Sequence, residues 1–160
     1  MRKVIAAIEA EYQRYKKLGE GAFAQMSDEQ LGEGPEEGNS AVMIAWHISG
    51  NLKSRFTDFL TSDGEKPWRD RESEFESRNV TRSALLEKWE DGWRVLLAAL
   101  RDLTDEDLDR NVTIRNEPHS VVQALQRSLA HTSYHVGQIV FLAKSLRGGE
   151  WKSLSIPKRK

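Results

Sequence analysis

The stretch SVVQALQRSLAHTSYHVGQIVFLAKSLRGG, residues 120–149, decides the fold. Ser120 and Gln123 have the spacing of a helix capping box, Pro118 ends whatever precedes them, and Gly148-Gly149 supplies the stop. Between these signals Leu125, Leu129, Val136, Ile139 and Ala143 recur at the three-and-four spacing of one helix face. A helix is therefore expected over 120–146, with His131 and His135 one turn apart on its flank.

Three more helices read out by the same rules. Val4, Ile8, Tyr12, Tyr15, Leu18, Ala22 and Met26 form an apolar stripe over residues 1–26. Asn39-Ser40 can cap a helix over 40–60. Thr81 can cap one over 81–103, whose inner stripe is Leu85, Trp89, Trp93, Leu96, Leu100 and Leu103. The polar segment Thr61 to Val80 reads as a long crossover between the second and third helices, so neighbouring helices need not simply alternate in direction. Val112-Thr113-Ile114 suggests a brief extended strand before the last helix. The expectation is an all-α four-helix bundle in one domain spanning 1–160.

Two local likenesses hint at a repeated helix pair. Met26-Ser27-Asp28-Glu29-Gln30-Leu31 follows the first helix as Leu103-Thr104-Asp105-Glu106-Asp107-Leu108 follows the third. Asn39-Ser40-Ala41-Val42 opens the second helix as His119-Ser120-Val121-Val122 opens the fourth.

Composition narrows the function. With 24 basic and 25 acidic residues the net charge is -1, which offers no global field for nucleic acid or an anionic membrane. The terminal Lys158-Arg159-Lys160 reads as a solvated tail. No window approaches the about 20 apolar residues of a membrane span, and the basic N-terminus is interrupted by Glu9 and Glu11 before any cleavage signal, so a cytoplasmic location is expected. There is no cysteine, so any thiol chemistry must use a thiol brought by a small molecule.

The histidines carry the chemistry. Counted from the capping serines, His47 lies seven residues on, and His131 and His135 eleven and fifteen on; at about 100° per residue these offsets fall within a quarter-turn of one another. In a chain that is 31% charged, residues 39–52 and 128–143 contain no Asp, Glu, Lys or Arg. Three imidazoles converging in a dry bundle are costly unless a cation organises them. Three nitrogen ligands leave further positions open, the pattern of a catalytic rather than a structural metal, and suit Zn²⁺ or Ni²⁺. Asn51 and Gln138, each one turn beyond a histidine, are candidates to hydrogen-bond a water or substrate at such a site. Tyr134, on the face away from the core stripe, is expected to contact another element or a partner chain, and His119 reads as a loop residue.

With Ala45-Trp46-His47-Ile48 followed far downstream by His131-Thr132-Ser133-Tyr134-His135-Val136-Gly137-Gln138-Ile139, the chain resembles the DinB/YfiT-like superfamily of metal-dependent enzymes. That resemblance spans most of the chain and implies an up-down-down-up four-helix bundle, a homodimer, and His47, His131 and His135 as the three ligands of a divalent metal. Some members of that superfamily transfer groups to or from low-molecular-weight thiols such as bacillithiol or mycothiol, some are proposed hydrolases, and most have no known substrate. The reading is thus a metal-dependent hydrolase or thiol S-transferase acting on a small molecule. The competing readings are a non-catalytic bundle that binds a metal or small ligand, and a structural bundle without metal. An open or a filled fourth position separates the first two; His47 remote from the other histidines would favour the last.

Overall fold

The structure, a computed structural model, describes residues 1–157; the Lys158-Arg159-Lys160 tail lies outside the described residues. Five helices and one two-stranded hairpin follow in the order α1 (Lys3–Gln25), α2 (Asp28–Gly32), α3 (Ala41–Phe56), α4 (Arg82–Asp102), β1 (Asn111–Ile114), β2 (Glu117–Ser120) and α5 (Val121–Arg147). Ser40, Thr81 and Ser120 each accept the backbone N–H three residues on, and Ser120 with Gln123 completes the capping box. Gly148, at φ 53°, ends α5 where a side chain would be strained. The second expected helix stops at Phe56 rather than 60. There the Thr57 hydroxyl donates back to the Lys53 carbonyl and Asp58 turns left-handed at φ 49°.

The most extensive packing runs α3 along α4 and α1 along α5. The α4 stripe from Leu85 to Leu103 is buried throughout, as are Tyr12, Ala22 and Met26 of α1 and Leu125, Val136, Ile139 and Ala143 of α5, whereas Val4 is exposed. Tyr12 sits at the centre, edge-on to Phe56 and Trp93, its hydroxyl donating to the Leu125 carbonyl. That hydroxyl bond satisfies a polar group in the driest part of the core.

The two likenesses within the sequence have structural counterparts. Ser27 and Thr104 both open capped single turns, α2 and a 3-10 turn over Asp105–Asp107. The short helix α2 was legible only as an acidic turn, which is why five helices replace the expected four. The two halves also cap each other. Arg82, first in α4, donates to the Phe23 and Met26 carbonyls at the end of α1, while Arg2 donates to the Leu100 and Leu103 carbonyls at the end of α4. Helix C-termini leave carbonyls unpaired and negative, so a guanidinium is a favourable partner at each.

The extended segment at 112–114 is one strand of a hairpin whose partner, Glu117–Ser120, was not anticipated. Its two-residue turn, Arg115-Asn116, has φ 55° and 63°, and the Asp63 carboxylate accepts both turn amides at 2.9 and 2.8 Å. The crossover is no free loop either. Gly64 N–H bonds to the Thr113 carbonyl, Lys66 is buried with its ammonium on the Ser54 and Asp63 carbonyls, and a 3-10 turn over Glu72–Phe75 packs on α3.

The α3–α4 contact is close enough to constrain one residue strongly. A Cβ on Gly92 would lie 2.6 Å from Ser49 Cα and 2.9 Å from its carbonyl oxygen. Alanine normally favours a helix interior over glycine by about 1 kcal/mol. Here Gly92→Ala is expected to destabilise by about 1–3 kcal/mol, lowering the melting temperature by several degrees, because two backbones must separate. A thermal melt followed by circular dichroism checks it, and a raised melting temperature contradicts the close approach.

Candidate metal centre

Helix α3 is apolar on most sides and places His47 inside the bundle at 4% exposure. Helix α5 brings His131 and His135 to the same spot, one turn apart, His135 buried and His131 half-buried. Ring centroids lie 5.1 Å apart for His47 and His131, 4.8 Å for His47 and His135, and 4.6 Å for the α5 pair. One ligand nitrogen from each lies within 4.8 Å of the others. Nitrogens bound at about 2.1 Å to a tetrahedral ion lie roughly 3.4 Å apart, so a shift of about an ångström at each ring suffices to bring all three onto one ion.

What orients the rings comes from the crossover. His47 Nδ1 lies 2.8 Å from a Glu74 carboxylate oxygen. Glu74 is itself gripped by Arg69, whose Nε and terminal nitrogen donate to its two oxygens at 2.8 Å each. The side chains of Arg69 and Glu74 are 2% and 7% exposed, so this is a buried fork-on-fork ion pair. Burial alone would raise the Glu74 pKa, but the Arg69 and His47 hydrogen bonds and charge outweigh it and hold the carboxyl below its ordinary value. An ionised Glu74 takes the His47 Nδ1 proton as its hydrogen bond and leaves the Nε2 lone pair facing the centre.

The second histidine is oriented similarly. Gln138 Oε1 accepts from His135 Nδ1 at 2.7 Å, again leaving Nε2 free. Burial pushes His135 down to about 4; burial, with His135 and His47 alongside, pushes His131 down to about 3. Both are therefore neutral imidazoles near pH 7, the state a metal needs. His131 Nε2 is 3.1 Å from His47 Nε2, and its Nδ1 is buried without a partner. With the His47 Nδ1 proton directed to Glu74, a proton at His131 Nε2 can relieve that contact, and this leaves Nδ1 a buried lone-pair acceptor with no donor. A cation drawing on the three Nε2 lone pairs replaces that contact, so the residues present fit a divalent ion.

Beside the histidines opens a cavity of about 300 Å³. Its wall includes Asn51 and Tyr134. Tyr134, 54% exposed, lies against His135 with ring centroids 4.3 Å apart, so the contact expected with another element is in part with its own helix. Asn51 is buried and lines the cavity, whereas Gln138 stands behind His135 and lines a separate groove. His119 lies in β2, outside the cluster, donating from Nδ1 to the Glu117 carbonyl and accepting from Arg127. Among the described residues no fourth His, Cys, Asp or Glu joins the three histidines.

Glu74 and Arg69 escaped the sequence reading, which placed no countercharge near the histidines. One local signal bears on them: Gly50, in the middle of an apolar helix. A Cβ there would lie 1.9 Å from Glu74 Oε1 and 2.7 Å from Cδ, so the missing side chain is the seat of the carboxylate.

Gly50→Ala is accordingly expected to displace Glu74 from His47 and lower affinity for added Zn²⁺ by roughly 10- to 100-fold, as loss of such an orienting carboxylate does elsewhere. Isothermal titration with zinc measures this; unchanged affinity in a folded variant contradicts the role given to Glu74. Glu74→Ala is expected to cost about 3–5 kcal/mol of stability, since it leaves the Arg69 guanidinium buried without its partner.

No curated protein and no solved structure matches the chain. One family model, described as a protein of unknown function (DUF1572), matches residues 1–160. The match covers the full length, and the chain belongs to the DUF1572 family.

Proposed function

We propose that this chain is a metal-dependent enzyme of the DinB/YfiT-like kind, with His47, His131 and His135 holding one divalent ion, Zn²⁺ or Ni²⁺, and a small-molecule substrate in the adjoining cavity. The observation that carries the reading is the asymmetry of the cluster. Protein groups hold the outer nitrogens of His47 and His135, while the other side of the three rings faces a cavity of about 300 Å³. Structural metal sites are closed by four protein ligands; catalytic ones keep a position open.

A divalent ion there would supply Lewis acidity, bringing the pKa of a water or thiol that enters the cavity toward neutrality. The chain's own residues set the stage. Glu74 and Gln138 fix the tautomers, α3 and α5 hold the rings on rigid elements, and Phe75 covers His47 with ring centroids 4.7 Å apart. No acidic side chain lines the cavity among the described residues, so no carboxylate stands ready as a general base. That favours the less demanding nucleophile. An external thiol, with an ordinary pKa near 8.5, needs far less activation than water, whose pKa lies well above that. Thiol S-transfer is therefore the leading reaction and hydrolysis the second.

The up-down-down-up order and the homodimer belong to the same proposal. Supporting the order, the Arg82 and Arg2 caps put the start of α4 beside the end of α1 and the reverse, Ser49 and Lys53 of α3 bond to Lys88 and Asp91 of α4, and Tyr12 meets Leu125 as Gln30 meets Leu146.

Elemental analysis of untagged, chelator-free protein tests the metal, alongside the double variant His131→Ala, His135→Ala. Near one ion per chain, lost in the variant, is expected, followed by turnover in a thiol-transfer screen that exceeds that in a hydrolysis screen. A protein that carries no metal and takes up neither Zn²⁺ nor Ni²⁺ overturns the proposal.

A further inference from the structure

The wall of the cavity is one-signed. Arg55, Arg69, Arg71, Arg115 and Arg127 all line it, and among the described residues no Asp or Glu does. Two of these are already engaged at depth. Arg69 is clamped to Glu74, and Arg55 to the Gly64 carbonyl and Glu65. The other three are not matched by charge. Arg115 shares the single carboxylate of Glu65 with Arg55, and Arg71 has only Glu72, 87% exposed and so of little electrostatic worth. Arg127 has no carboxylate in salt-bridge reach among the described residues; its partner is Nε2 of His119, whose other nitrogen is tied to the Glu117 carbonyl.

Two of these arginines are held in place by hydrogen-bonded supports. Arg115 occupies the first position of a two-residue hairpin turn at φ 55°, where glycine or asparagine is the unstrained choice. The chain keeps an arginine there, and the two amide bonds to Asp63 fix the strained turn that presents it. Arg127 is braced by a chain of hydrogen bonds from β2 through His119. Guanidinium groups that outnumber their carboxylates around a partly enclosed cavity focus a positive field and present forked donors to an oxyanion.

We propose that this cavity recognises a small molecule bearing a carboxylate or phosphoryl group, which docks on Arg115 and Arg127 at the hairpin side while the molecule's reactive end lies over the three histidines. The anion site stands on the arginines alone; only the placement of the reactive end rests on the metal-dependent reading. Substrate class is thereby narrowed to small anions, and neutral or cationic molecules are disfavoured.

The test is isothermal titration of metal-free and of zinc-loaded protein with inorganic phosphate and, separately, with succinate, at low and at raised sodium chloride. At least one probe is expected to bind the metal-free protein, more weakly as salt rises. Arg127→Gln and Arg115→Asn, the latter keeping a residue that tolerates the left-handed turn, are each expected to weaken binding about tenfold or more, while Arg14→Gln on the outer face of α1 leaves it unchanged. The better probe tells the phosphoryl from the carboxylate class. Circular dichroism melts establish that each variant is folded, and Arg127→Gln, which changes an exposed side chain, carries the test if Arg115→Asn unfolds. Binding of neither probe to either form, or equal weakening by Arg14→Gln, overturns the proposal. Zinc uptake without anion binding refutes this inference alone, and anion binding without zinc uptake refutes only the metal.

Discussion

Everything about the candidate site depends on burying one negative charge. Glu74 lies in a crossover of mostly polar sequence, and its carboxylate rests against the bare Cα of Gly50, inside a helix the sequence makes apolar on nearly every side. An isolated carboxylate at that depth would be protonated or expelled. It stays ionised because Arg69, five residues earlier in the same crossover, enters with it and takes both oxygens, and because His47 supplies a third hydrogen bond. The ion pair thus does two things at once: it staples the crossover to α3, and it fixes the tautomer of the histidine that meets the other two. Take away any member and the rest lose their reason to be buried.

How much of this was legible follows from which forces are local. Capping at Ser40, Thr81 and Ser120 and the stripes of α1, α4 and α5 depend on residues within a turn or two of each other, and the sequence displays them directly. The histidines could be read the same way, because two sit one turn apart and the third shares their angular offset from a cap. The Glu74–Arg69 pair could not, since a Glu among the charges of Thr61 to Val80 looks like any other until the fold brings it to Gly50. The second strand was hidden for a related reason. Glu117-Pro118-His119-Ser120 has no strand propensity of its own and extends only because Val112 and Ile114 of its partner are buried and Asp63 holds the turn.

The reciprocal caps give the bundle a logic that bears on the site. Arg82 closes the end of α1 and Arg2 the end of α4, Asp28 pairs with Arg82, and Asp105 accepts the first amides of α1. These contacts lock α1 against α4 at both ends, on the far side of the core from the histidines. The framework is therefore stabilised without drawing on the site, and α3 and α5 are left to carry groups whose burial is unfavourable until something satisfies them, such as the partnerless His131 Nδ1.

A division of labour results. Ring orientation is set by helix-borne histidines backed by Glu74 and Gln138, while three of the five cavity arginines come from two non-helical insertions, the crossover and the hairpin, which are joined through Asp63 and the Gly64–Thr113 bond. Rigid elements suit the histidines because a metal tolerates little error in ligand position, whereas Arg69, Arg71 and Arg115 stand on non-helical segments, where charge and shape can vary without disturbing the core. The orientation of His47 and the presentation of Arg115 thus rest on separate supports, Glu74 for the one and Asp63 for the other. A change in the hairpin can alter what binds while leaving the three histidines where they are.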